Sequence, residues 1–256
     1  MPKYFIIDRG ENQCWFLEAG GSLGPVGRLI WREEKGRGSQ ELAYYDALPL
    51  LTVWVCAPPN MGEWRKVRRL KKAVRALAQA GVRQVIWPDN CPWSAREAGF
   101  APIWLEGLYQ GMADGLAMAA LERVGRTPEQ GRVALVGPRL TVALQRTAQR
   151  LCPRVKGLLI QVPGQGEDYA RWLHGQFGLP VCPMAAGADV TVAFAPQGPR
   201  WGQCLEVYQG GGLDGLRLAC PGLELPQDVE RQLLAVLWER GMVTRDQLVV
   251  AEDGGP

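Results

Sequence analysis

Eight basic residues lie between positions 64 and 83, in WRKVRRLKKAVRALAQAGVR: Arg65, Lys66, Arg68, Arg69, Lys71, Lys72, Arg75 and Arg83, with no acid among them. The chain holds 29 Lys and Arg in all, so the 21 found elsewhere face 26 acids. Trp64, Val67, Leu70, Val74 and Leu77 recur at spacings of three and four, which predicts a helix with an apolar stripe and a positive outer face. Like charges at i,i+4, such as Arg65–Arg69 and Arg68–Lys72, oppose one another by a few tenths of a kcal/mol per pair. A face meant only for water would mix its signs. The asymmetry therefore predicts an acidic partner for Arg65, Lys66, Arg68, Arg69, Lys71, Lys72 and Arg75: nucleic-acid phosphate, an acidic protein surface or an acidic membrane. No aromatic ladder accompanies the helix, so contact would be with backbone rather than bases and would weaken steeply with salt. The competing expectation is a solvated face neutralised from elsewhere in the fold by Glu33, Glu34 or Glu41.

A second constellation is RVALVGPRLTVALQRTAQRL, residues 132–151, which reads as a buried strand, a tight turn and a helix with Pro138 at its first position. It resembles the first unit of a Rossmann-like domain, in which free N–H groups at a helix start hold a phosphate. That resemblance implies an anionic small ligand, a nucleotide or a phosphate, at Gly137, Arg139 and Thr141. The dinucleotide fingerprint has three glycines and VGPRLT supplies Gly137 alone, so no particular cofactor is specified. Three carboxylates, Asp8, Glu41 and Asp89, form a third set. The order of three early strands, a short helix from Ser39 to Tyr45, then strand–helix–strand resembles ribonuclease H-like domains. That resemblance implies Mg²⁺ held by these carboxylates for phosphodiester cleavage, although the strand ending Cys56-Ala57-Pro58-Pro59 lacks the acid such a fold supplies there.

Other chemistry is scarce. One histidine, His174, sits near a helix end, where the usual role is to complement the helix dipole. Seven cysteines are widely spaced without a CxxC, which argues for reduced thiols in a cytoplasmic protein and against a metal site. No run of 18 apolar residues suggests a membrane span, and the first residues read as strand rather than as a signal peptide. Gly107, Gly111 and Gly115 lie four apart on a helix expected over about 103–124. They would form either a tight packing face or a surface for self-association. Met112 and Met118 on the same helix read as core. Trp93 and Trp201 sit in loops, where they cover an apolar edge or mark a binding surface.

The elements that must position these groups alternate strand and helix, and the fold class is α/β. A mixed-sheet half over 1–125 carries three early strands and the basic helix. A Rossmann-like parallel-sheet half over 126–256 has strands at Arg132–Val136, Leu158–Val162 and Val190–Phe194, then at Cys204–Tyr208 and Leu216–Ala219. A helix from Gln227 ends at Gly241. The sequence thus predicts a cytoplasmic binding or regulatory protein with an anionic small-ligand site and a basic helix for an acidic partner. The alternatives are a divergent nucleotide-dependent enzyme or metal-dependent phosphodiesterase, and a structural protein that forms homo-oligomers.

Overall fold

A computed structural model describes residues 5–6, 24–36, 38–45, 48–178 and 187–253. It divides into two compact units, Met1–Ile103 with Gly222–Gln232, and Trp104–Pro221 with Leu233–Pro256. The first unit is a mixed sheet of β1 (Phe5–Ile6), β2 (Val26–Arg32), β3 (Gln40–Tyr45), β4 (Leu48–Cys56), β5 (Gln84–Ile86) and β6 (Ala101–Pro102). Across the sheet the order is β1-β3-β4-β2-β5-β6. Strands β4, β2, β5 and β6 run parallel, while β3 is antiparallel to β4 and β1 to β3. Helix α1 (Glu63–Gln79) connects β4 to β5. Its Leu70, Ala73 and Leu77 form one core with Leu29, Trp31, Leu51, Val53 and Val55 of the strands.

The segment after Ser39 is therefore a strand and not a short helix. Six residues are too few to nucleate a helix alone, and β3 instead hydrogen-bonds along β4, with Gln40 opposite Val53 and Tyr45 opposite Leu48. This correction also removes the element order shared with ribonuclease H-like domains. Glu41 lies on a strand, and Asp89 lies in an exposed turn after β5. Asp8, like the strand expected over Cys14–Glu18, falls outside the described residues. Among the described residues no group of three His, Cys, Asp or Glu side chains could hold a metal ion.

The second unit is built on a parallel sheet of β7 (Arg132–Val136), β8 (Gly157–Gln161), β9 (Val190–Ala193) and β10 (Gln203–Glu206), in the order β10-β9-β7-β8. Helix α4 (Val142–Leu151) joins β7 to β8, and α5 (Gly166–Phe177) follows β8. The chain thus passes from β7 to β8 on one side and then returns beyond β7 to β9 and β10 on the other, the strand-order reversal of doubly wound, Rossmann-like sheets. The fold class is α/β, with a mixed sheet in the N-terminal part and a Rossmann-like parallel sheet in the C-terminal part. An antiparallel pair, β11 (Leu216–Ala219) and β12 (Val249–Glu252), completes the strands, and α6 (Glu230–Glu239) stops just before Gly241 at φ +67°.

The single helix expected over 103–124 is two, α2 (Glu106–Gly111) and α3 (Ala113–Arg123), and α3 packs on β9 and β10 and against α4 and β12. At Gly111 and Gly115 the glycine face is filled from within the chain, while Gly107 is exposed. A Cβ at Gly111 would stand 2.3 Å from Cζ2 of Trp238, and one at Gly115 would lie 3.8 Å from Met112 and 3.9 Å from Val250. Met112 and Met118 are buried as expected. No described helix is long and apolar enough to cross a membrane.

Candidate functional site

Helix α1 begins after Gly62 with Glu63 in its first turn, where a negative charge suits the helix dipole. Its inward residues are Leu70, Ala73 and Leu77, with Val74 against the same core. Trp64, expected in the apolar stripe, is instead 63% exposed, with the Arg65 guanidinium 5.6 Å from its ring centre. The buried stripe thus begins a turn and a half later than the spacing implied.

The cations of α1 divide into two groups. Lys66 pairs with Glu63 at 2.7 Å. Arg69 reaches inward, donating from Nη1 to the carbonyls of Cys56 and Gly36. Lys71 stands 5.9 Å over the Trp93 ring. Arg65, Arg68, Lys72 and Arg75 are exposed and make no ion pair among the described residues. Nor do Glu33, Glu34 or Glu41 neutralise them, since Glu34 pairs with Arg32 at 3.1 Å and the other two pair with no α1 cation. The tryptophan in the 91–94 loop has a covering role. Trp93 packs on the mixed-sheet core, and its carbonyl accepts from Nε1 of Trp87.

In the parallel-sheet unit the turn after β7 differs from expectation at two points. Pro138 is not the first helical residue. The helix starts at Val142, with Thr141 as its N-cap (φ −85°, ψ 158°), and Oγ1 of Thr141 accepts from Leu144 N at 3.2 Å. Pro138 and Arg139 therefore form a short exposed bend. Gly137 is buried, and a Cβ there would meet Leu144 Cδ1 at 3.2 Å and Phe194 Cβ at 3.6 Å. The chain's own side chains occupy the close approach that a pyrophosphate would need. Arg139 makes no ion pair among the described residues, and of the first-turn amides of α4 that of Leu144 is bonded to Thr141.

The neighbouring loop after β9 folds back on the same strand end. A Cβ at Gly198 would stand 2.5 Å from Val136 Cγ1, and Arg200 braces the loop by donating to the carbonyls of Ala195 (2.7 Å), Pro196 (3.2 Å), Gly198 (3.1 Å) and Pro199 (3.2 Å). Trp201 covers Ala134, Val136 and Leu159, and its backbone N–H and carbonyl both bond the Thr191 hydroxyl. His174 lies exposed in the last turn of α5, and Glu167 and Asp168 lie in its first turn.

A polar group in the parallel-sheet unit has no counterpart in the sequence reading. Asp114, 2% exposed on α3, accepts from Arg245 at 2.5 Å and lies 3.6 Å from Arg150; Arg245 also donates to the Gly111 carbonyl at 2.7 Å. A lone acid inside the apolar run ADGLAMAAL is the signal that could have singled it out.

No family model matches the chain, and no curated protein matches it in sequence. Among solved structures, the crystal structure of L-tryptophan dehydrogenase from Nostoc punctiforme is similar at 14% identity and a TM-score of 0.30, over 67% of this chain and 56% of that one. The chain thus spans just over half the length of that protein, and a likeness at this TM-score says nothing about its chemistry.

Proposed function

We propose that this chain is a binding protein whose α1 helix docks on the phosphate backbone of duplex nucleic acid. One observation carries the reading: Arg65, Arg68, Lys72 and Arg75 are exposed without an ion pair among the described residues. Their spacing at three and four places them on one ridge, about 15 Å long at 1.5 Å per residue. A duplex presents several phosphates over that distance. Free cysteines at positions 91, 152, 204 and 220 fit a reducing, cytoplasmic setting. Fluorescence anisotropy with a labelled duplex at two salt concentrations tests the docking. The expected log–log salt slope is about −4, near −0.9 per phosphate neutralised. Lys71→Glu with Lys72→Glu should weaken binding and flatten the slope; unchanged affinity and slope in that variant would overturn the reading.

The strand order favours a second reading in the other unit: a small anion at the bend after β7, held by Arg139 and the α4 amides, with Thr141 fixing the helix start. The bend lies at the end of β7, beside β9, where the strand order reverses, the usual crevice of doubly wound sheets. It is also the feature on which a nucleotide-dependent enzyme would rest. Nucleotides and inorganic phosphate should raise the Tm of the wild-type protein and not of Arg139→Ala. A Tm indifferent to all of them removes this site.

A further inference from the structure

We propose that the mixed-sheet unit carries a pocket for a small organic phosphate monoester, on the sheet-facing flank of α1 and sharing only Lys72 with the ridge assigned to duplex binding. A groove of about 350 Å³ opens where α1 passes over the start of β3 and the end of β4. That lies at the lower end of the range for ligand sites. On the α1 side the groove is bordered by the methyl of Ala73, and at the start of β3 Gly38 lets the chain run close along β4, where a Cβ would be 2.5 Å from the Trp54 carbonyl oxygen.

The lining has two parts. Val53, Val55 and Ala73 belong to the apolar core and form an apolar floor. Arg69 and Lys72 form a cationic rim, joined by Gln40, which stands opposite Val53 in the β3–β4 register and so shares its face. Arg69 is preorganised. Its Nη1 is fixed on the Cys56 and Gly36 carbonyls, leaving Nε–H and Nη2 as the fork that pairs two oxygens of one anion. Lys72 makes no ion pair among the described residues. Two cations with no acid among the described lining residues match a head group carrying about −1.5 to −2 charges, as a phosphate monoester does near neutral pH. The floor matches a compact apolar body attached to it. A bare phosphate would leave that floor uncovered, and a carboxylate would leave one cation unmatched.

Calorimetric titration of the full chain with phenyl phosphate tests this, with inorganic phosphate and benzoate as comparison probes. Phenyl phosphate should bind about tenfold more tightly than either. Lys72→Gln, at an exposed position, should weaken phenyl phosphate at least about fivefold. Arg68→Gln with Arg75→Gln should leave it unchanged while reducing duplex binding, so the two readings fail separately. Equal affinity for phenyl phosphate and inorganic phosphate would refute the apolar floor. Equal affinity for benzoate would refute the charge argument. No binding, or binding indifferent to Lys72→Gln, would remove the pocket.

Discussion

In the parallel-sheet unit, Arg245 donates to Asp114 and to the Gly111 carbonyl, Arg200 holds four carbonyls of one loop, and Arg126 pairs with Asp189 at 3.4 Å. In the mixed-sheet unit, Arg28 pairs with Asp228 and Arg69 with two carbonyls, yet Arg65, Arg68 and Arg75 on the same helix as Arg69 contact no acid among the described residues. The same residue type is structural in one setting and surplus to the fold in the other. A guanidinium enclosed by carbonyls and a carboxylate holds local geometry in place, and removing it strands buried polar atoms. A guanidinium on an exposed helix flank adds repulsion between neighbours and nothing to the core. The contrast separates cations kept for stability from cations available to a partner, which composition alone does not do.

The largest effect should come from Arg245→Met. It leaves Asp114, 2% exposed, facing only Arg150 at 3.6 Å. Breaking a buried pair typically destabilises by about 3–5 kcal/mol. Because Arg245 and Arg150 both reach solvent, a loss of about 3 kcal/mol is expected in urea unfolding. A loss below 1 kcal/mol would show that Asp114 does not depend on its arginines.

Alkali should act next, and on the same unit. Burial pushes the Cys152 thiol up to about 11 from its ordinary 9.0. The folded state then holds this proton more tightly than the unfolded state does. Its contribution to stability is intact below about pH 9 and falls as the pH rises toward about 11. Thermal unfolding across that window should show the decline, and Cys152→Ala should reduce it, with burial of the Cys91, Cys204 and Cys220 thiols, which are also pushed up, sustaining the remainder.

Two glycines of α2 should give opposite signs. Gly111→Ala drives a Cβ to 2.3 Å from the Trp238 ring, and overpacking of this kind costs about 1–3 kcal/mol. Gly107 has nothing within 4 Å of a Cβ, so Gly107→Ala should gain up to about 1 kcal/mol from helix propensity. Equal effects of either sign would deny that Trp238 fills the space beside Gly111. Thr141→Ala, which removes the acceptor for Leu144 N, should cost about 1 kcal/mol, and Thr141→Ser should restore it.

These expectations show where the sequence was legible. Arg132–Val136 and Leu216–Ala219 form strands at the residues expected, because each apolar run is bounded by turn residues and needs no distant partner to be recognised. The basic helix was legible for a similar local reason, since its periodicity and charge lie within one segment. Residues 40–45 misled because Gln-Glu-Leu-Ala-Tyr-Tyr suits a helix locally, and only pairing along the nine-residue β4 makes it a strand. Strand β12, Val249–Glu252, went unread because four residues without polar–apolar alternation carry no periodic mark. The Asp114–Arg245 pair joins residues 131 apart, and the α1 groove needs two strands and a helix to meet. Local pattern reveals elements; contacts made by remote segments carry no local mark.

The smallest expected effect is the one that tests the contrast from its other side. Arg68→Ala with Arg75→Ala removes two exposed charges from α1 and no described ion pair. Arg68 lies four residues from Lys72, so its loss relieves like-charge repulsion worth a few tenths of a kcal/mol, and alanine is the best helix former. Stability in low salt should therefore stay level or rise by up to about 0.5 kcal/mol, and the difference from wild type should shrink as salt screens the repulsion. A drop of more than 1 kcal/mol would mean that these arginines hold contacts within the fold, as Arg245 does, and would take from the ridge its standing as a surface kept for something outside the chain.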